Sequence, residues 1–267
     1  MLTRTHMRDR VVVITGASSG IGAALAEVVG KRGGRPVLVA RREAELEAVA
    51  ARSGPHALPL VADVTKRLEV GRALDAAIAR FGGVDVWVNN AGRGITRPVS
   101  ELTDEDFDEM MLVNCKSALY GMQAVLPHFA ARGQGHIINV SSLLGRVPLA
   151  HFRSAYCAAK HALNSLTSSL RIELFDTCPG VHVSAVHPGV VATEFGLKAM
   201  HGGRDSRSLP GAQSAEEVAE VIADVIDQPR ADVYTRPAAK QMIVSYYSAP
   251  DMGEAERQPP YFSVRPR

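Results

Sequence analysis

The chain has 267 residues, 46% of them hydrophobic and 22% charged, which suits one large domain with a sizeable core. Its formal net charge is +2, and its basic residues form no long runs, so neither nucleic acid nor an anionic membrane surface is an expected partner. No apolar stretch approaches the roughly 20 residues of a membrane helix, and the opening MLTRTHMRDR lacks the apolar segment of a secretory signal.

The first predicted strand, VVVIT at 11–15, runs into TGASSGIG at 15–22 and a helical pattern at 20–32. Gly16, Gly20 and Gly22 allow a sharp turn that can approach a diphosphate, while the helix start offers unpaired N–H groups. Their spacing, G-x-x-x-G-x-G, differs from the G-x-G-x-x-G fingerprint. The second strand, PVLVA at 36–40, precedes Arg41, Arg42 and a helix at 43–52. An acid near this strand end would hold the ribose hydroxyls of NAD. Ala40 stands there instead, and the Arg41 guanidinium can grip a 2′-phosphate, with the Ser18 hydroxyl beside it. The expected cofactor is therefore NADP(H); the alternative is that Arg41 and Arg42 merely begin a solvated helix.

A third strand, ALPLVA at 57–62, leads to Asp63 and Val64 and a helix at 66–81. Asp63 either accepts from an adenine amino group or starts that helix. The fourth, VDVWVN at 84–89, carries Trp87 as a core residue and ends in NNAG. Asn90, Ala91 and Gly92 are placed to stabilise strand ends and border the cofactor ribose. A single helix is predicted over 104–131, then HIINVS at 136–141 and a helix over 155–176. Tyr156 and Lys160 lie four apart on that helix, so they share a face. A neighbouring ammonium would lower the phenol pKa from its ordinary value of about 10 and ready it for proton transfer. VHVSAVH at 181–187 opens onto HPGVVAT at 187–193, where His187 reads as structural. Residues 191–213 break the pattern beyond a strand's C-terminal end, where ligands bind in such sheets, and read as a substrate lid. A helix at 214–227 and a weak strand at 232–235 close the alternation, and the tail from Arg236 has no assigned structure.

Continuously apolar strands alternating with helices predict an α/β fold, with one doubly wound parallel sheet of about seven strands in a single domain over 1–267. The nine histidines form no HExxH motif or His/Cys cluster, so no metal site is expected. Cys115, Cys157 and Cys178 are widely spaced and odd in number, which points to a reducing, cytoplasmic setting.

TGASSGIG, the DV at 63–64, NNAG, Asn114, NVSS at 139–142, YCAAK at 156–160 and HPGVVAT occur in an order that resembles the short-chain dehydrogenase/reductase family, in its shorter single-domain branch. The resemblance covers residues 9–235. It implies a seven-stranded Rossmann-type sheet, a nicotinamide cofactor contacted through Gly16, Ser18, Gly20, Ile21 and Gly22, and hydride exchange between a small-molecule carbonyl and alcohol. It also implies that Tyr156 is general acid or base, that Lys160 lowers its pKa and binds the nicotinamide ribose, and that Ser142 holds the substrate oxygen. Asn114 would position a water of a proton relay. Pro188 and Gly189 would shape the turn under the nicotinamide, with the Val191 main chain and Thr193 hydroxyl near its carboxamide or the phosphates. The family commonly buries the helices corresponding to 104–131 and 155–176 between subunits, so a homodimer or homotetramer is expected.

The family usually places its serine 13 residues before the tyrosine, where this chain has Leu143. The S-x-x-G pattern at Ser142–Gly145 keeps Ser142 in register and implies a one-residue insertion before Tyr156; Ser141 is the alternative. Leu143, Leu144, Val147, Pro148 and Leu149 either line an apolar substrate pocket or simply pack. Two rival functions are a nucleotide-sugar epimerase-like enzyme, whose glycine pattern and larger C-terminal region differ, and a silent NADP-binding sensor or scaffold, which would lack part of the Asn114, Ser142, Tyr156 and Lys160 set.

Overall fold

The computed structural model describes residues 7–261. Its centre is a seven-stranded sheet in the order β3-β2-β1-β4-β5-β6-β7, with every neighbouring pair parallel. The strands are β1 Val11–Thr15, β2 Arg35–Ala40, β3 Leu58–Val61, β4 Val86–Asn89, β5 Gly135–Val140, β6 Val181–His187 and β7 Asp232–Tyr234. The helices are α1 Gly20–Lys31, α2 Glu43–Arg52, α3 Arg67–Phe81, α4 Asp104–Met111, α5 Ser117–Arg132, α6 Ser154–Thr177, α7 Ala215–Asp227, α8 Pro237–Tyr247 and α9 Met252–Glu256. This is a Rossmann-like α/β fold.

Strand residues alternate between two cores because successive side chains leave opposite faces of a pleated strand. Val12 and Ile14 join Leu25, Val29, Leu46 and Ile222 on one face. Val11 and Val13 join Leu74, Ala77, Val125 and Phe129 on the other. Burial on both sides explains why β1 and β4 are apolar at nearly every position. The strand order reverses between β1 and β4, so the Gly-rich turn and the NNAG segment meet at a topological switch point.

The helix predicted over 104–131 contains a break in its hydrogen bonding. Between α4 and α5, Leu112–Lys116 forms a π-helical turn. The 191–213 excursion leaves and returns at one place, since Val191 pairs with Gln213. The unassigned tail forms α8 and α9; Ile243 and Tyr246 of α8 pack on Val147, and Leu143, Leu149 and Tyr261 join this cluster. Among the described residues, no helix is long and apolar enough to cross a membrane.

Candidate active site

The β1–α1 turn is held tightly against the end of β4. The Thr15 hydroxyl donates to the Val88 carbonyl (3.2 Å) and accepts from the Asn90 and Ala91 amides (2.9 and 3.1 Å). The Asn90 side-chain amide donates to the Thr15 carbonyl at 2.9 Å. Gly16 adopts φ +69°, and a Cβ there would lie 2.8 Å from the Ala91 Cα. A Cβ on Gly22 would lie 2.5 Å from the Gly16 carbonyl oxygen. Side chains are thus excluded from the turn for two reasons, left-handed backbone and lack of space. Ile21 packs its side chain toward the α1-side core, and Gly20 faces the Thr193 side chain. A narrow cradle at a helix start, kept free of side chains at its glycines, fits a dinucleotide diphosphate.

At the far edge of the cradle the structure departs from the expected arrangement. Arg42, rather than Arg41, reaches the turn, donating to the Ser18 and Ser19 hydroxyls at 2.9 Å each and pairing with Glu45 at 3.1 Å. Arg41 is exposed and acts electrostatically on Asp63. Burial pushes the Asp63 carboxyl upward, but bonds from Thr65 and the charge of Arg41 outweigh it and hold the group below its ordinary value. Its Oδ1 accepts from the Thr65 amide and hydroxyl (3.0 and 2.7 Å), so Asp63 closes the turn before α3. Val64 packs toward the α3-side core.

Asn114, Ser142, Tyr156 and Lys160 are all buried. Asn114 lies in the π-turn; its Oδ1 accepts from the Arg93 amide (3.0 Å), and its Nδ2 donates to the Arg93 and Met110 carbonyls (2.9 and 3.1 Å). A Cβ on Gly92 would lie 2.9 Å from Asn114 Oδ1 and 3.8 Å from Lys160 Nζ, so both groups converge beside that glycine. The Ser142 hydroxyl lies close enough to the Tyr156 phenol to favour its charged form, and Ser142 Oγ accepts from the Leu144 amide at 3.1 Å. Ser141 points away, its Oγ lying 3.5 Å from the Lys160 carbonyl. The Leu143 amide donates to the Pro188 carbonyl (2.9 Å), tying the serine turn to the HPG turn.

The expected effect of Lys160 on the phenol requires correction. Burial dominates both groups, pushing Tyr156 up to about 12 and Lys160 down to about 8. The nearby Ser142 hydroxyl and the charge of Arg153 pull Tyr156 back only partly. The Lys160 ammonium donates to the Val140 carbonyl at 2.9 Å and lies 5.8 Å from the Tyr156 ring centroid. Helical spacing brings the two residues to one face, but the ammonium is drawn to a strand-end carbonyl.

Above this group, the Phe195 and Tyr156 rings meet edge to face, with centroids 5.6 Å apart. The 191–213 segment is fastened there by main-chain bonds from Thr96 to Met200 and from Met200 to Gly94, and by His201 on Asp106 at 2.6 Å. Gly189 and Val190 are exposed, and Val191 is half-buried. His187 is buried against Asp232 (2.9 Å) and stacked on Tyr234. Burial pushes the Cys157 thiol up to about 11. Residues that only the structure brought to notice are Thr15, the buried Asn89–Asn139–Thr167 chain under the strand ends, and Arg153, the N-cap residue of α6.

A sequence profile described as short chain dehydrogenase matches residues 10–201. The chain belongs to this family. Within it, the chain is similar to an uncharacterized oxidoreductase of Staphylococcus epidermidis, 34% identical over 84% of this chain and 93% of the relative. It is also 36% identical to an uncharacterized oxidoreductase of Bacillus subtilis, over 88% of this chain and 67% of that one. A short chain dehydrogenase/reductase from Burkholderia phymatum in complex with NAD superposes with a TM-score of 0.85, covering 97% of this chain and 99% of that one at 26% identity. A 3-ketoacyl-(acyl-carrier-protein) reductase from Brucella melitensis complexed with NADH gives a TM-score of 0.76, covering 86% and 98% at 30% identity. An alcohol dehydrogenase from Thermococcus sibiricus complexed with 5-hydroxy-NADP gives 0.75, covering 85% and 96% at 29% identity. The protein is thus an oxidoreductase of the short-chain dehydrogenase family, and these neighbours bind nicotinamide nucleotides.

Proposed function

We propose that the protein is an NADP(H)-dependent oxidoreductase that interconverts a carbonyl and an alcohol on a small-molecule substrate, as a homodimer or homotetramer in the cytoplasm. The observation that carries this reading is the burial together of Asn114, Ser142, Tyr156 and Lys160, with the Ser142 hydroxyl acting on the Tyr156 phenol and Lys160 and Asn114 converging beside Gly92. The cradle of Gly16, Gly20 and Gly22 would hold the diphosphate, Asp63 and Val64 would border the adenine, and Asn90, Ala91 and Gly92 the ribose. Lys160 would bind the nicotinamide ribose, and Pro188, Gly189, Val191 and Thr193 would border the nicotinamide end. When bound, the cofactor supplies or accepts the hydride.

The chain's own task is the proton and the charge. As negative charge grows on a carbonyl oxygen, the Tyr156 and Ser142 hydroxyls donate to it, and Tyr156 gives up its proton. A phenol held at about 12 is protonated throughout the neutral range, the state needed to donate during reduction. Asn114 would order a water through which Lys160 returns the proton. Preference for NADP(H) is supported by Arg42 beside Ser18, by the nearby charge of Arg41, and by Ala40 where an acid would favour NAD. An NADPH-oxidation screen over ketones, quinones, steroids and acyl thioesters tests the reading. Absence of turnover with every carbonyl would refute it; binding without turnover would point to a sensor.

A further inference from the structure

We propose that Arg153 anchors a carboxylate on the substrate, so that the carbonyl compounds taken by this enzyme are oxo acids with an otherwise apolar body. This inference rests on the oxidoreductase reading above and narrows its substrate class. Arg153 is the N-cap residue of α6, three residues before Tyr156, and its charge acts on that phenol. Its guanidinium lies where the segment after β4, the start of α6 and the 191–213 excursion meet. A Cβ on Gly94 would be 2.6 Å from its Nη1, and one on Gly203 would be 3.3 Å from its Nη2. The same point beside Gly94 is 3.0 Å from Phe195, whose ring meets that of Tyr156 edge to face. The cation therefore lies beside the Phe195 ring that packs on the proposed acid.

What the cation lacks is an anion. A guanidinium offers five N–H donors, yet among the described residues the Arg153 side chain makes one long hydrogen bond, to the Ile95 carbonyl at 3.4 Å, and a cation–π contact 5.9 Å from the Phe152 ring centroid. It joins none of their ion pairs, although Arg42, Arg93, Arg97, Arg146 and Arg171 all do. The acidic groups whose charge it feels are the Tyr156 phenol and the Cys157 thiol, and burial keeps both protonated at neutral pH. Arg153 is half-buried, and partly desolvating a cation with no anion beside it is costly; the neighbouring segments are already joined without it. The Arg97 amide already donates to the Phe152 carbonyl at 2.7 Å, and the Ser154 hydroxyl to the Arg97 carbonyl at 2.7 Å. The surroundings of Tyr156 are otherwise apolar, with Ile95, Met110, Leu144 and Met200 packed about it. An apolar chain bearing a carbonyl and a terminal carboxylate matches all three features, and a planar guanidinium binds a carboxylate through two parallel bonds.

The test uses 2-oxooctanoate, 4-oxooctanoate and 6-oxooctanoate with their methyl esters, which share each carbonyl and lose only the charge. In wild type, at least one acid should exceed its ester in kcat/KM by about ten- to a hundredfold, the span of one charge-assisted hydrogen bond. That acid-to-ester ratio should collapse toward one in Arg153→Met and survive in part in Arg153→Lys. Ligand-observed NMR of acid and ester binding, with and without NADPH, gives the same comparison without requiring turnover, so a failure of the oxidoreductase reading remains distinguishable. Wild type that binds and turns over each ester as well as its acid overturns the proposal, whatever the variants do. So does an Arg153→Met protein that loses acid and ester equally, which is the mark of a structural role.

Discussion

Tyr156→Phe removes one oxygen and leaves the ring contact with Phe195 in place. Turnover should fall by about 10²- to 10⁴-fold with cofactor affinity nearly intact, and near-normal turnover would eliminate the proposed acid. Ser142→Ala should harm turnover more than Ser141→Ala, because Ser142 acts on the phenol while Ser141 turns toward the Lys160 carbonyl. Lys160 presents a conflict between activity and stability. Its pKa is held at about 8 by burial, against an ordinary 10.5. Folding is therefore penalised in full below pH 8, and the penalty is relieved as pH rises toward the unfolded value. Lys160→Met should lose turnover and cofactor affinity, yet melt higher than wild type at pH 7, with the gap narrowing toward pH 10. Calorimetry showing the same gap at both pH values would contradict this. Spacing alone shows that Tyr156 and Lys160 share a face, but not that both are dry, because solvent exclusion is decided by strands distant in sequence. Nor does the ARR run show which arginine turns toward Ser18. Arg41→Ala, Arg42→Ala and the double variant should weaken NADPH by roughly tenfold or more per lost charged bond and hardly affect NADH. Wild type binding NADH more tightly would sink the cofactor assignment.

Among the secondary-structure elements, the buried strands were the most legible feature, since a strand covered on both faces must be apolar throughout, as VVVIT and VDVWVN are. The π-turn at Leu112–Lys116 was hidden because one extra backbone residue per turn leaves composition and helix propensity unchanged. The tail was illegible for a different reason: α8 is held by Val147, roughly ninety residues earlier, rather than by a local pattern. The glycine turn was readable from its motif, and its severity can be measured. Gly16→Ala forces a side chain onto φ +69°, 2.8 Å from Ala91. It should destabilise the fold by at least about 1–2 kcal/mol, the usual penalty for left-handed backbone, and weaken NADPH. A variant with an unchanged melting temperature and unchanged cofactor titration would show that the turn has room to relax.

On the scale of the whole molecule, α6 carries Ile172 and Phe175, each 77% exposed, on the outer surface. Two large apolar side chains in water on one helix are consistent with the expected self-association through α5 and α6. Light scattering at micromolar concentration should give a dimer or tetramer, and Ile172→Glu with Phe175→Glu should shift it to monomer; a wild-type monomer would remove the assembly. The paired ends of the 191–213 excursion have a separate consequence. Val191 and Gln213 are joined by backbone bonds of 2.8 and 2.9 Å between neighbouring residues, so the segment leaves and rejoins the fold at a closed neck, and its ties from Met200 and His201 run to Gly94, Thr96 and Asp106 rather than to a strand. Closure entropy grows with the logarithm of loop length, about 0.6 kcal/mol for each doubling. Descendants of this chain can therefore lengthen or exchange the whole cover above Tyr156 while the strands beneath keep their register, which makes substrate range the trait this scaffold can change most cheaply by insertion.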